Sequence, residues 1–329
     1  IFNGAEGPLW IGYVDEWQCD YDMPVEGVVD VKCSDILKLA AFTEVPEDPE
    51  EPGQGDTSYA RTLRLIDKAK FEIQDYDRTT VLPAYTPASG PTVTLAKSKF
   101  GGKYLEQLRK VVEAERGVMA VHADGLVRFG GRYQLAGDPR SRYSQVLFGE
   151  AAGEVPYSKI DVNFTDREVL TEVVCTRDGA DRDDDAARQT ATSETAKTQS
   201  GLRVKISKSF SAPYDRNTLC LNAAEFVLRQ AATPGLYVDS IEVVPRGAMQ
   251  WAALISRELG DRITVRRRPR HASDVALLQA DSHLTEISHD IEPGLHWKVT
   301  LGLSPAPPSD DVWIVGDVTA GIVGSARLG

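Results

Sequence analysis

Four features of this chain invite a chemical reading: its histidines, its cysteines, a pair of carboxylates and a run of arginines. The histidines are His122, His271, His283, His289 and His296, with the last three close together. A metal centre needs ligands converging from one strand face or one helix turn, and neither HxH nor HExxH spacing occurs. His283 and His289 lie an even number apart and would share a face of an unbroken strand; with no third ligand in pattern, they read as exposed strand residues. Cys19, Cys33, Cys175 and Cys220 make no CxxC pair and no short framework, so they read as buried thiols rather than zinc ligands or disulfides. Glu113 and Glu115 are two apart on a predicted helix, where their side chains diverge and cannot share acid and base work. GxSxG, GxGxxG and GxxxxGK[ST] are all absent, and the glycines between Phe100 and Lys103 read as a helix entry. No catalytic, metal or cofactor residue is therefore expected, and the chain reads as structural rather than enzymatic.

Arg266, Arg267 and Arg268, followed by Arg270, form the one strong cationic cluster. Bases stack on aromatic side chains, and none is interleaved here, so a nucleic-acid site is disfavoured. The cluster reads as an outward strand edge protected by charge, available as a contact to an acidic neighbouring subunit. Two acidic runs read as solvated loops. In EVPEDPEEPGQGDTS, 44–58, three prolines keep the carboxylates from converging. DGADRDDDAAR, 178–188, lacks the alternating ligands, central glycine and closing glutamate of a calcium loop.

The elements that would carry these residues follow from periodicity. LWIGYVDEW and VVDVKCSD alternate apolar with polar and predict a hairpin half buried on one face, with Ser34 or Asp35 capping a helix over ILKLAAF. Helical spacing of Ala60, Leu63, Ile66 and Ala69, and of Leu105, Leu108, Val111 and Val112, predicts two amphipathic helices, the second stopped by Gly117. A tight hairpin turning at Ala123, Asp124 and Gly125 follows. IDVNFTDREVLTEVVCTR predicts two strands joined at Asp166 and Arg167, AAEFVLRQAA a helix closed by Pro234, and LYVDSIEVVP a strand. Between Leu259 and Pro305, two further strand segments offer Ile263, Val265, Trp297, Val299 and Leu301 as the core of a β-barrel wall.

Chain length, 329 residues, favours two or three domains, and 42% hydrophobic with 26% charged residues is ordinary for a folded chain. A net charge of −12 disfavours wrapping a phosphate backbone, yet suits a surface past which DNA must slide without sticking. No apolar run is long enough to span a bilayer. The chain starts at Ile1, in what reads as a strand, and so resembles part of a longer product.

Three stretches carry a family resemblance. LWIGYVDEWQCDYD with VVDVKCSDILKLAAF, then YLEQLRKVVEAERGVMAVHADGLVRFGGR, then ELGDRITVRRRP with ISHDIEPGLHWKVTLGLSP resemble, in order, segments of minor tail proteins from long non-contractile-tailed phages, especially those of actinobacterial hosts. The resemblance implies a mainly β fold with an α/β insertion: two tube-like antiparallel β-barrels, the first incomplete at its N-terminus because the family's opening strands are missing. It divides the chain into 1–57 (first barrel and acidic loop), 58–150 (α/β insertion) and 151–329 (strands returning to the first barrel, a helix and the second barrel). It further implies a tail-tip hub in the virion: a homotrimeric ring continuing the tail tube, meeting the distal tail protein, the tape measure protein and other tip proteins, with DNA passing unbound. The competing expectation is a receptor- or carbohydrate-binding tail protein, suggested by five tryptophans and eleven tyrosines on a β scaffold.

Overall fold

A computed structural model of the chain describes residues 10–22, 26–47, 55–69, 93–123, 125, 127–131, 138–165, 170–178, 185–194, 206–231, 235–268, 278–292 and 296–306. The chain is mainly β and divides into two compact units. Asn3–Gly131 with Ala212–Arg216 makes the first; Arg132–Ser211 with Asn217–Gly329 makes the second. The expected divisions after 57 and after 150 fall inside these units. Residues 48–54 of the 44–58 loop, the Asp124, Asp166–Arg167 and Pro234 turns, the centre of the second acidic run, Arg270 and His271 lie outside the described residues.

The first unit opens with an antiparallel hairpin, β1 (Tyr13–Asp22) and β2 (Glu26–Ser34), with a register shift between Val14 and Glu16. Helix α1 (Ile36–Phe42) follows, and Asp35 is its cap: the carboxylate accepts from the Leu37 amide at 2.9 Å, satisfying one of the helix's orphan donors. Short strands β3 (Glu44–Val45), β4 (Asp56–Thr57), β5 (Thr94–Leu95) and β6 (Gly102–Lys103) pair as β3–β6 and β4–β5 around helices α2 (Ser58–Ala69) and α3 (Tyr104–Glu115). The buried face of α2 is Ser58, Arg61, Thr62 and Leu65, one position off the expected Ala60–Leu63 row. Arg61 is drawn inward because partners await it: Asp56 at 3.3 Å, Ser98 at 2.6 Å and the Ala96 carbonyl at 2.8 Å, with the Phe100 ring beside it. Arg116, in the left-handed region, ends α3 before Gly117, whose absent Cβ would lie 1.8 Å from the Gly130 carbonyl oxygen. The hairpin of β7 (Val118–Val121) and β8 (Val127–Gly130) completes the unit.

In the second unit, α4 (Pro139–Arg142) precedes β9 (Leu147–Phe148), β10 (Lys159–Thr165), β11 (Glu172–Arg177), β12 (Arg188–Thr192) and β13 (Ser207–Ala212). Next come α5 (Asn217–Ala231), β14 (Gly235–Val243), α6 (Ala248–Ile255), β15 (Arg262–Arg267), β16 (Leu278–Glu292) and β17 (His296–Pro305). The expected β10–β11 hairpin does not form. β10 pairs with β14, whereas β11 sits between β12 and β13 beneath α5, because period-two alternation identifies a strand without choosing its partner.

One curled six-stranded sheet, ordered β10–β14–β17–β16–β15–β9, carries the main core of this unit. Ile263, Val265, Val299 and Leu301 are buried in that core with Phe148, Ile241 and Leu284. Trp297 is half-buried against it and meets Trp251 of α6 edge-on, ring centroids 4.8 Å apart. β15 covers β16 over Leu278–His283, and β14 covers β17 over Val299–Gly302. The turn end of the β16–β17 hairpin therefore runs past both neighbours, with Ile291 exposed near its tip.

Candidate interaction surfaces

The β1–β2 hairpin is amphipathic in an unusual sense. Its register places Val14, Trp17 and Cys19 on one face opposite Cys33, Val31 and Val29, while Glu16, Gln18, Asp30 and Lys32 occupy the reverse. The expectation was a face buried in the protein's own core. Instead, Trp17 is 65% exposed, Val14, Val29 and Val31 are exposed, and both cysteines are exposed, so the reading of all four cysteines as buried holds for Cys175 and Cys220 alone. On the reverse face Lys32 bridges Glu16 at 2.8 Å; near the base Lys38 bridges Asp15 at 2.7 Å. Over Val14–Cys19 and Val29–Cys33 this apolar face is left to water, the character of an interaction surface.

The arginine cluster occupies the end of β15. That strand is no bare edge, since it pairs with β16 and, at Thr264 and Val265, with β9. The turn 149–155 folds back to supply two carboxylates. Glu154 is buried and takes a fork from Arg268, whose Nη2 lies 2.7 Å from Oε1 and whose Nη1 meets Oε2; Arg266 and the Ala151 amide add bonds at 3.2 and 2.9 Å. Glu150 pairs with Arg267 and accepts from the Arg268 amide at 2.8 Å. Gly149 leaves room for this: a Cβ there would sit 2.1 Å from Glu154 Oε2. Arg268 foremost, helped by the Ala151 amide and Arg266, holds the Glu154 carboxyl down at about 2 against the burial that opposes it. The arginines are thus neutralised within their own chain, an arrangement that sequence spacing could not reveal because 114 positions separate Glu154 from Arg268.

Among the described residues the histidines join no metal-binding cluster. His283, expected to be exposed, is buried and donates from Nε2 to the Ser141 carbonyl at 2.9 Å, and burial pushes its pKa down. His289 is half-buried, accepts from Trp297 Nε1 at 3.1 Å and is pushed down by burial too. Among the described residues no His, Cys, Asp and Glu cluster could hold a metal ion, and no helix is long and apolar enough to cross a membrane. Glu115, far from forming a pair with exposed Glu113, is a buried tie: it accepts from Ser58 Oγ and from the Val93 amide at 2.9 Å, joining α3 to α2 and β5. An open cleft of about 490 Å³ between β12 and α5 is lined by Thr190, Thr192, Leu221, Glu225, Leu228 and Arg229. Its polar lining is the residues Thr190, Thr192 and Ser193 from one side and, a helical turn apart on α5, Glu225 and Arg229 from the other.

No family model matches the chain, and no curated protein matches it in sequence. Solved structures do match in fold. A tail protein from Neisseria meningitidis MC58 superposes with a TM-score of 0.60 at 12% identity, covering 92% of this chain and 82% of that one. The 43 kDa tail protein of prophage MuSo2 from Shewanella oneidensis gives 0.58 at 11%, covering 92% and 81%. The prophage tail protein gp18 from Listeria monocytogenes EGD-e gives 0.52 at 11%, covering 90% and 77%. At such identities the likeness is one of fold, and it runs through both units.

Proposed function

We propose that this chain is a structural subunit of a phage tail, placed at the tail tip, where three copies close a hub ring that continues the tail tube. The observation carrying the reading is the fold shared with three phage or prophage tail proteins over nine-tenths of the chain. In the ring each copy contributes two tube-like β-barrels. The curled six-stranded sheet forms the wall of the second, with Ile263, Val265, Trp297, Val299 and Leu301 on its core side.

Three physical features fit such a part. The net charge of −12 gives DNA a lumen that repels it, so that it passes without sequence-specific binding. Outer strand β10 and the uncovered stretch of β16 present backbone edges that a ring closes against neighbours. The structural neighbours are tail proteins, which supports a role in assembly rather than an enzymatic one. Its neighbours are the distal tail protein, the tape measure protein and other tip proteins of a virion that infects an actinobacterial host. Sedimentation equilibrium of the purified chain over a wide concentration range tests the ring: a mass of three chains is expected, and a monomer at every concentration contradicts it.

A further inference from the structure

We propose that the apolar face of the β1–β2 hairpin is the seat of a second copy of this chain. The inference rests on the ring reading above and names the surface through which the ring closes. Val14, Trp17, Cys19, Val29, Val31 and Cys33 form a strip without a single charge on a chain carrying −12. Among the described residues, the opposite face holds Glu16 and Asp30 against one lysine, Lys32.

That division selects the occupant. A basic partner would be drawn to the acidic reverse face. An anionic membrane would be repelled by a chain whose net charge is −12. An identical copy brings the same negative charge and has to dock where charge is absent, which is the strip.

Size selects the assembly. The six residues from Val14 to Cys19, at about 3.4 Å each, give a strip roughly 20 Å long, and two strands make it roughly 10 Å wide. About 200 Å² per copy falls short of the roughly 800 Å² per partner in a stable pair. The strip therefore works as one part of a contact repeated around a closed ring, in which each copy is held from both sides.

The test compares the full chain with Trp17→Asp and with Gln18→Asp, which places the same charge on the reverse face. Sedimentation equilibrium is run at about 50 and about 500 mM NaCl, where screening weakens charge-led contacts and relieves repulsion between like-charged copies. Trp17→Asp is expected to weaken self-association at least about tenfold, while Gln18→Asp leaves it unchanged. Added salt is expected to strengthen association of the unaltered chain. Hydrogen exchange separates a docking defect from a folding defect: amides of 28–33 gain protection on association, and monomeric Trp17→Asp keeps the protection of α3 and the β7–β8 hairpin in its own unit. A ring that persists unchanged in Trp17→Asp overturns this inference and leaves the hub reading intact. An unaltered chain that never self-associates overturns both.

Discussion

Glu154 shows how one buried carboxylate can absorb a cationic cluster. Because its folded pKa, about 2, lies below the ordinary 4.5, it contributes stability that is present in full above pH about 5 and is lost as the pH falls from 4.5 towards 2. Glu154→Gln should lower stability by about 2 kcal/mol at neutral pH and flatten the acid limb, the two proteins converging near pH 2. Urea unfolding across that pH range checks this; parallel acid limbs would remove Glu154 from the account. Buried Glu115 and Arg61 follow the same rule, each drawn inside by partners lying in its own unit. Such residues are invisible to a reading by hydrophobic periodicity, which places Arg61 on the outer face of α2 and passes over Glu115.

Strands and helices were legible where local chemistry determines them. Asp35 caps α1 as its position before an apolar helical run requires, and Gly117 follows α3 where its lack of a side chain leaves room for the Gly130 carbonyl. Partnerships between strands were not legible: IDVNFT and EVVCTR read as a hairpin, yet they belong to different sheets. Nor could alternation in LWIGYVDEW tell a face buried in the same chain from one left exposed, since both need the same pattern. The six-stranded sheet gives a direct measure of what burial contributes. Leu301→Ala, in the centre of β17, should cost about 3 kcal/mol through lost transfer energy and the cavity left behind. Ile291→Ala, at the exposed end of β16, should stay within about 0.5 kcal/mol. Denaturant midpoints of the two variants distinguish a packed wall from a loose one, and equal losses would contradict the core described for this unit.

For the molecule as a whole, an acidic charge, a mainly β architecture with the fold of tail proteins, uncovered strand edges and an exposed apolar hairpin face are the features on which the proposed ring rests. Together they favour a ring whose lumen repels DNA and whose walls are closed by neighbours. Electron microscopy of intact particles, with the chain located by a bound antibody fragment, tests that claim most directly. The account predicts three copies around the tail axis at the tip, directly below the tube. Labels spread along the shaft, confined to peripheral fibres or absent from the particle would contradict it.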